Sequence, residues 1–339
     1  MIRNLSRDDW IAQLFPARDW QIEAVSGDAS FRHYFRLIFP DGATRIVMDA
    51  PPEHEDCRPF VKVAALLSEA GVHVPQVEAQ DLDNGFLLLS DFGNTSYLDA
   101  LNAQTAPQLY RNAQQALIAL QCAHSASDLK KCLPQYDDAL LSQELALFPT
   151  WYLERHLGKA LDSAQQQTLD TVFASLKRNN LAQPYVLVHR DYHARNLMVT
   201  GTSFPATPGI LDFQDAVYGP LSYDLVSLLR DAYIDWPEEQ ELDFVIRYWE
   251  MARQAGLPVA SDFHDFYRDY EWMGAQRQLK VLGIFARLYH RDGKAGYLKD
   301  LPRVMFYLRR TCERYLELRP LARLFDQLEE RSAQAAYTF

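Results

Sequence analysis

The sequence predicts an α+β protein with a small β-rich lobe followed by a larger, mainly helical lobe. Three observations carry this. Short runs with β-type alternation, broken by Gly-Asp and Asp-Gly turns, fill the first part of the chain and give out near residue 95. Beyond that point apolar residues recur with helical spacing almost to the end. At 339 residues, 48% of them apolar, the chain is long enough for two folded units and rich enough in apolar side chains to give each a core. The expected lobes are residues 1–92 and 93–339.

Taken in order, Ser6 and Asp9 ahead of Trp10-Ile11 start a short helix. Strands are expected over 21–25, 30–39, 44–50 and 85–89, with Asp41-Gly42 joining the second and third, because Gly tolerates the positive φ of a tight turn. A helix over 60–70 intervenes. Helices are then expected at about 107–127, 137–156, 163–178, 222–233, 238–255, 262–291 and 299–335, with strand-like runs only at 185–199 and 209–213. No internal repeat or low-complexity segment interrupts this layout.

The chemistry concentrates in the two strand-like runs of the helical part. His189-Arg190-Asp191 is followed by Asn196, and Asp212 ends the apolar run Ile210-Leu211. An Asp and an Asn five apart match the loop H-R-D-x-x-x-x-N, in which the Asp meets the attacking hydroxyl and the Asn holds magnesium. Magnesium takes hard oxygen ligands, few of them from protein, so one carboxamide and one carboxylate suffice. A second reading remains open: His189, Asp191 and His193 as an H-x-D-x-H metal cluster of a hydrolase, completed by Asp212 and Asp215.

Composition narrows the partners. A net charge of -11 and a pI near 5.3 argue against a general nucleic-acid binder. Cys57, Cys122, Cys132 and Cys312 show no C-x-x-C pairing and read as reduced thiols. With no apolar leader after Met1 and no run of membrane-spanning length, a cytoplasmic location is expected, with no membrane and no obligate protein partner.

The two-lobe order and three strings, Val25-Ser26-Gly27-Asp28-Ala29-Ser30-Phe31-Arg32, Gly209-Ile210-Leu211-Asp212-Phe213-Gln214-Asp215 and Tyr223-Asp224-Leu225-Val226, resemble the aminoglycoside phosphotransferase family of the protein-kinase-like fold over nearly the whole chain. Within it they are most similar to kinases that phosphorylate the cell-wall sugars N-acetylmuramate and N-acetylglucosamine at the anomeric hydroxyl. The resemblance implies ATP and magnesium as cofactors and a small amino sugar as substrate. It makes Asp191 the catalytic base, Asn196 and Asp212 the magnesium ligands, and Asp224 a structural brace for the catalytic loop; Asp224 reads equally as a helix cap. The loop Ser26, Gly27, Asp28, Ala29, Ser30, Phe31 and Arg32 would cover the ATP phosphates, and Ser90, Asp91 and Phe92 would form the hinge that pairs with adenine.

One departure stands out. The strand over 44–50 should carry the phosphate-binding Lys, yet Met48 and Asp49 occupy that place, and the following helix has no acid before Glu69. Arg32, Arg45 and Lys62 are the nearest cations, Arg32 first because it sits in the phosphate loop. For the acceptor, His193, Arg195, Asp215, Arg230 and Trp272 are the main candidates, with Tyr218, Glu271 and Arg277 beside them. The acidic cluster Asp231, Asp235, Glu238, Glu239, Glu241 and Asp243 reads as a solvated helix start. Other acceptors remain open (aminoglycoside, choline, homoserine), as does a pseudokinase that binds without transferring phosphate.

Overall fold

The computed structural model describes residues 5–25, 31–200 and 207–328. In chain order, α1 (Arg7–Leu14), β1 (Gln21–Val25), β2 (His33–Ile38), β3 (Thr44–Asp49), α2 (Arg58–Glu69), β4 (Val77–Asp81), β5 (Phe86–Ser90), α3 (Tyr97–Ala100) and α4 (Ala106–Cys122) come first. Then follow α5 (Ala126–Cys132), α6 (Asp138–Leu147), a π-helical stretch (Phe148–His156), α7 (Ser163–Ala182), β6 (Tyr185–Val188), β7 (Leu197–Met198), β8 (Gly209–Ile210) and β9 (Val217–Pro220). The rest is helical: α8 (Tyr223–Leu229), α9 (Glu238–Gln254), α10 (Phe263–Asp292), a 3-10 turn (Ala295–Asp300), α11 (Leu301–Arg314) and α12 (Arg319–Leu328). The chain divides into two compact units, residues 1–123 with 194–216, and residues 124–193 with 217–339.

The first unit is built on an antiparallel sheet of order β1-β2-β3-β5-β4. Leu37, Val47, Phe86 and Leu88 share one face, since Val47 pairs with both Phe35 and Leu88, and they bury with Trp10 and Ile11 of α1. Met48, Leu87 and Leu89, on the other face, are buried as well. The β7–β8 pair, in register Leu197 to Ile210, belongs to this unit.

The second unit is helical around α10, whose 30 residues span roughly 45 Å at 1.5 Å each. Along α10 the run from Tyr270 to Lys280 is buried throughout, so this helix is polar in sequence yet central in place. Gly283 lets α6 come close: a Cβ there would lie 2.5 Å from the backbone of Leu147. β6 and β9 form a two-stranded ladder that presents the chain leading into Asp191.

Several expectations needed correction. The run over 185–199 is not one strand: it forms β6 as far as Val188 and β7 at Leu197–Met198, with the polar stretch between them turned into a loop. β4 and β9 were not anticipated: β4 alternates weakly as Val-Glu-Ala-Gln-Asp, and β9 holds Gly219 and Pro220. The helix expected over 137–156 widens into a π-helix where Pro149, lacking an N–H, cannot continue the α pattern. The one expected over 299–335 breaks at 315–318, just before Pro320 starts α12.

Candidate functional site

In the second unit, β6 delivers His189 and Arg190 into a sharp turn, Arg190 having φ of 78°. Asp224, fully buried in the first turn of α8, accepts from the backbone N–H of His189 (2.6 Å) and of Arg190 (2.9 Å). Burial pushes its carboxyl up to about 7, against the pull of those two N–H groups and of Arg277. It caps no helix: Ser222 holds the N-cap position of α8. The backbone N–H of Asp191 donates to His189 Nδ1 at 3.3 Å, so that ring is occupied within the loop.

The loop is held from beneath by Glu144 of α6. That carboxylate takes Arg190 (2.7 Å), Lys280 (2.9 Å), the hydroxyl of Tyr136 (2.7 Å) and the carboxamide of Gln276 (2.9 Å). Burial opposes its charge, but Lys280 and Arg190 bring its pKa down to about 2. From α10, Arg277 donates to the carbonyl of Arg190 (2.7 Å) and to Ser227 (2.8 Å). Burial alone would raise the carboxyl of Asp191; Lys280 and Arg277, with His193 and His189, hold it below its ordinary value. Asp191 is thus a carboxylate in a setting of fixed cations.

A pocket of about 140 Å³ opens beside it, lined by Asp191, His193, Arg230, Arg277, Lys280 and an apolar stretch of α10. The structure brings four expected residues together here, Asp191, His193, Arg230 and Arg277. His193 Nδ1 is buried without a partner, its ring edge-on to Tyr233. The Arg230 side chain is fully buried, tied to Glu241 (2.6 Å), Glu271 (2.9 Å) and Thr311 (2.8 Å). Trp272 does not line the pocket; it packs against Arg268 and Tyr315. The acidic cluster is no simple solvated face: Glu241 is buried on Arg230 and Arg310, Glu238 pairs with Arg314, and Asp235 with Arg303. Sequence reading missed Lys280 and Glu144, which stand far from the loop along the chain and carry no motif.

In the first unit, β7 and β8 run side by side and place Asn196 next to Asp212, Nδ2 to Oδ2 at 3.4 Å. Asp212 has φ of 61°, and its other oxygen accepts from Gln214 at 2.6 Å. A half-turn of the Asn196 carboxamide presents Oδ1 beside the carboxylate. That donor set, an amide oxygen and a carboxylate, fits magnesium. Arg195 and Asp215 also belong to this unit and are exposed. Among the described residues no group of three or more His, Cys, Asp or Glu converges to hold a metal ion, which removes the basis for the hydrolase reading.

A second pocket in the first unit, about 400 Å³, is lined by His73, Gln76, Ser90, Asp91, Phe92 and Thr200. Three of these are the expected hinge residues. Ser90 and Gln76 bond each other through Ser90 N–H (3.0 Å) and Ser90 Oγ (2.9 Å), and the rings of His73 and Phe92 lie 4.4 Å apart. Gly209 is required beneath Phe92, since a Cβ would meet that ring at 2.5 Å. The Asp91 carboxylate is taken by Arg36 (2.6 and 3.0 Å). His73, Gln76 and Thr200 were not foreseen.

Of the phosphate loop, Ser26, Gly27, Asp28, Ala29 and Ser30 lie outside the described residues. Phe31 is exposed and stacks on His54, and Arg32 bonds Glu55 at 3.0 Å. Arg45 pairs with Glu78, and Lys62 is exposed on α2.

Comparison with known proteins adds a family. The family model described as "Phosphotransferase enzyme family" matches residues 21–258. The chain is 46% identical over 349 residues to the N-acetylmuramate/N-acetylglucosamine kinase of Neisseria meningitidis serogroup B, covering 100% of both chains. To the protein of the same name from Pseudomonas aeruginosa it is 48% identical over 329 residues, covering 95% of each. Among solved structures, aminoglycoside 2'-phosphotransferase-IIIa in complex with GDP superposes with a TM-score of 0.61 at 17% identity, covering 90% of this chain and 97% of the other, a likeness of fold.

Proposed function

Because the chain belongs to the phosphotransferase enzyme family, we propose that it transfers the γ-phosphoryl group of ATP to the anomeric hydroxyl of N-acetylmuramate and N-acetylglucosamine, giving the sugar 1-phosphate in cytoplasmic recycling of peptidoglycan. The observation that carries this is the identity of 46% and 48%, over nearly the full length, to two kinases bearing those sugars in their names.

In this reading Asp191 orients the sugar hydroxyl and takes its proton late, since phosphoryl transfer passes through a loose transition state in which positioning outweighs proton abstraction. The cations around Asp191 suit that task, because they keep it ionised and ready to accept. Asn196 and Asp212 would hold magnesium, which supplies charge neutralisation at the phosphates. The pocket at Ser90 and Phe92 would take the adenine, and Arg32 the phosphates. Asp224 acts by shape, fixing the turn that aims Asp191.

The test is ADP release against a panel of N-acetylmuramate, N-acetylglucosamine, an aminoglycoside, choline and homoserine, followed by assay of the product for a reducing end. Transfer to the anomeric hydroxyl abolishes the reducing end. A product that keeps it, or turnover confined to the other acceptors, overturns the reading.

A further inference from the structure

The pocket beside Asp191 changes character along α10. Arg277, Gln278 and Lys280 line one part, and Val281, Ile284 and Leu288 the next. Residues three or four apart share a helix face and each adds 1.5 Å, so Gln278, Val281 and Ile284 form a stripe roughly 9 Å long. Val281 and Ile284 remain half-exposed, while Leu282, Gly283, Phe285 and Ala286 between and after them are buried.

The polar part is unevenly satisfied. Arg277 and Lys280 each have two partners within the protein. Gln278 is only 3% exposed, and its Oε1 has no hydrogen-bond partner. Buried carboxamides are nearly always bonded, and one left unmet in the wall of a pocket calls for a partner there, a water or a ligand.

We propose that Gln278, with Val281 and Ile284 beside it, forms the subsite that recognises the N-acyl group of the acceptor. This rests on the acceptor being an amino sugar and names what reads its substituent. A carboxamide both donates and accepts, and so does the acetamido group, which also carries an apolar methyl. A hydroxyl at the same carbon has no methyl to place on Val281 and Ile284. An ammonium has no acceptor and would bring charge against Lys280 and Arg277. The stripe therefore separates N-acylated sugars from their parent hexose and from the free amine.

Gln278→Leu tests this with two sugars and one stability measurement. For N-acetylglucosamine kcat/KM falls about tenfold or more, the size of one lost hydrogen bond in a closed site. Glucose, measured as substrate or as competitive inhibitor, changes less than about twofold, so the preference between the sugars collapses. The Tm holds or rises, because Oε1 makes no hydrogen bond that the free protein would lose. An equal fall for both sugars, or no fall for either, overturns the subsite. Should the wild type turn over neither sugar, the kinase reading fails, and calorimetric titration of N-acetylglucosamine decides the subsite separately. Weaker binding to Gln278→Leu then upholds it, and equal or absent binding overturns it.

Discussion

At Asp191 the neighbouring charges decide what the side chain does. Lys280 and Arg277 keep it ionised, so it is open to a proton but, as a weak base, takes one only late, when charge has developed on the hydroxyl. Asp191→Ala should lower kcat on the order of 100 to 10,000-fold while nucleotide affinity stays near the parent's. Single-turnover kinetics with a parallel binding titration checks both halves, and near-normal turnover would remove the residue from the mechanism. Arg32 poses the opposite question, since Glu55 already holds it at 3.0 Å and so fixes its head group. Arg32→Ala should raise the KM for ATP or lower kcat far more than Lys62→Ala, with Arg32→Lys between them because it keeps charge and loses the planar fork. Equal, small effects would leave the phosphates to backbone amides and metal. Asp191, Asn196 and Asp212 were legible because their spacing along the chain is itself the signal. Glu55 and Lys280 were not, because a partner brought in by folding leaves no local trace.

Elements show a similar division. α10 reads as a helix from its periodicity, but nothing in a stretch as polar as Gln276-Arg277-Gln278-Leu279-Lys280 says that it will be buried. Its burial is made tolerable by α6, whose Glu144 gathers Arg190 and Lys280. Glu144→Gln should cost about 3 to 5 kcal/mol, as expected when one member of a buried charge cluster is removed. The pH dependence follows from the direction of its shift. A carboxyl depressed from 4.5 to about 2 contributes stability that is present above pH 4.5 and is lost as pH falls towards 2. The amount at stake is on the order of 3 kcal/mol. Urea unfolding at pH 7, 4 and 3 should show the parent losing stability in that window and Glu144→Gln losing less. The strands β4 and β9 escaped notice for a plainer reason: a polar edge strand and a Gly-Pro strand both lack the alternation that marks a strand.

For the molecule as a whole, the two-part division into sheet and helices was readable from the change of hydrophobic period, and the strand order β1-β2-β3-β5-β4 was not. Period reports which face is apolar; it does not say which strand lies next to which. Net charge of -11 was read as a bar to nucleic acid, but much of the acidity around α9 is spent internally on Arg230, Arg303, Arg310 and Arg314. No helix among the described residues is long and apolar enough to cross a membrane. A ligand that binds only the folded chain stabilises it by about 2.7 kcal/mol at a hundredfold excess over Kd. Magnesium-ADP at that excess should therefore raise the Tm by a few degrees, and Asp212→Asn should abolish most of the magnesium-dependent part of the rise. A rise that is the same with and without magnesium would detach Asp212 from the metal.

Arg190 and Asp212 are the non-glycine residues with positive φ among those described. Backbone sterics alone favour glycine or asparagine at such positions. Any scheme that ranks substitutions by stability, whether laboratory selection for heat resistance or a consensus drawn for robustness, will be drawn to these two sites first. At one it would strip a cation from Glu144; at the other, the carboxylate beside Asn196. A hardened version of this protein is thus most at risk of inactivity where its backbone offers the readiest gain.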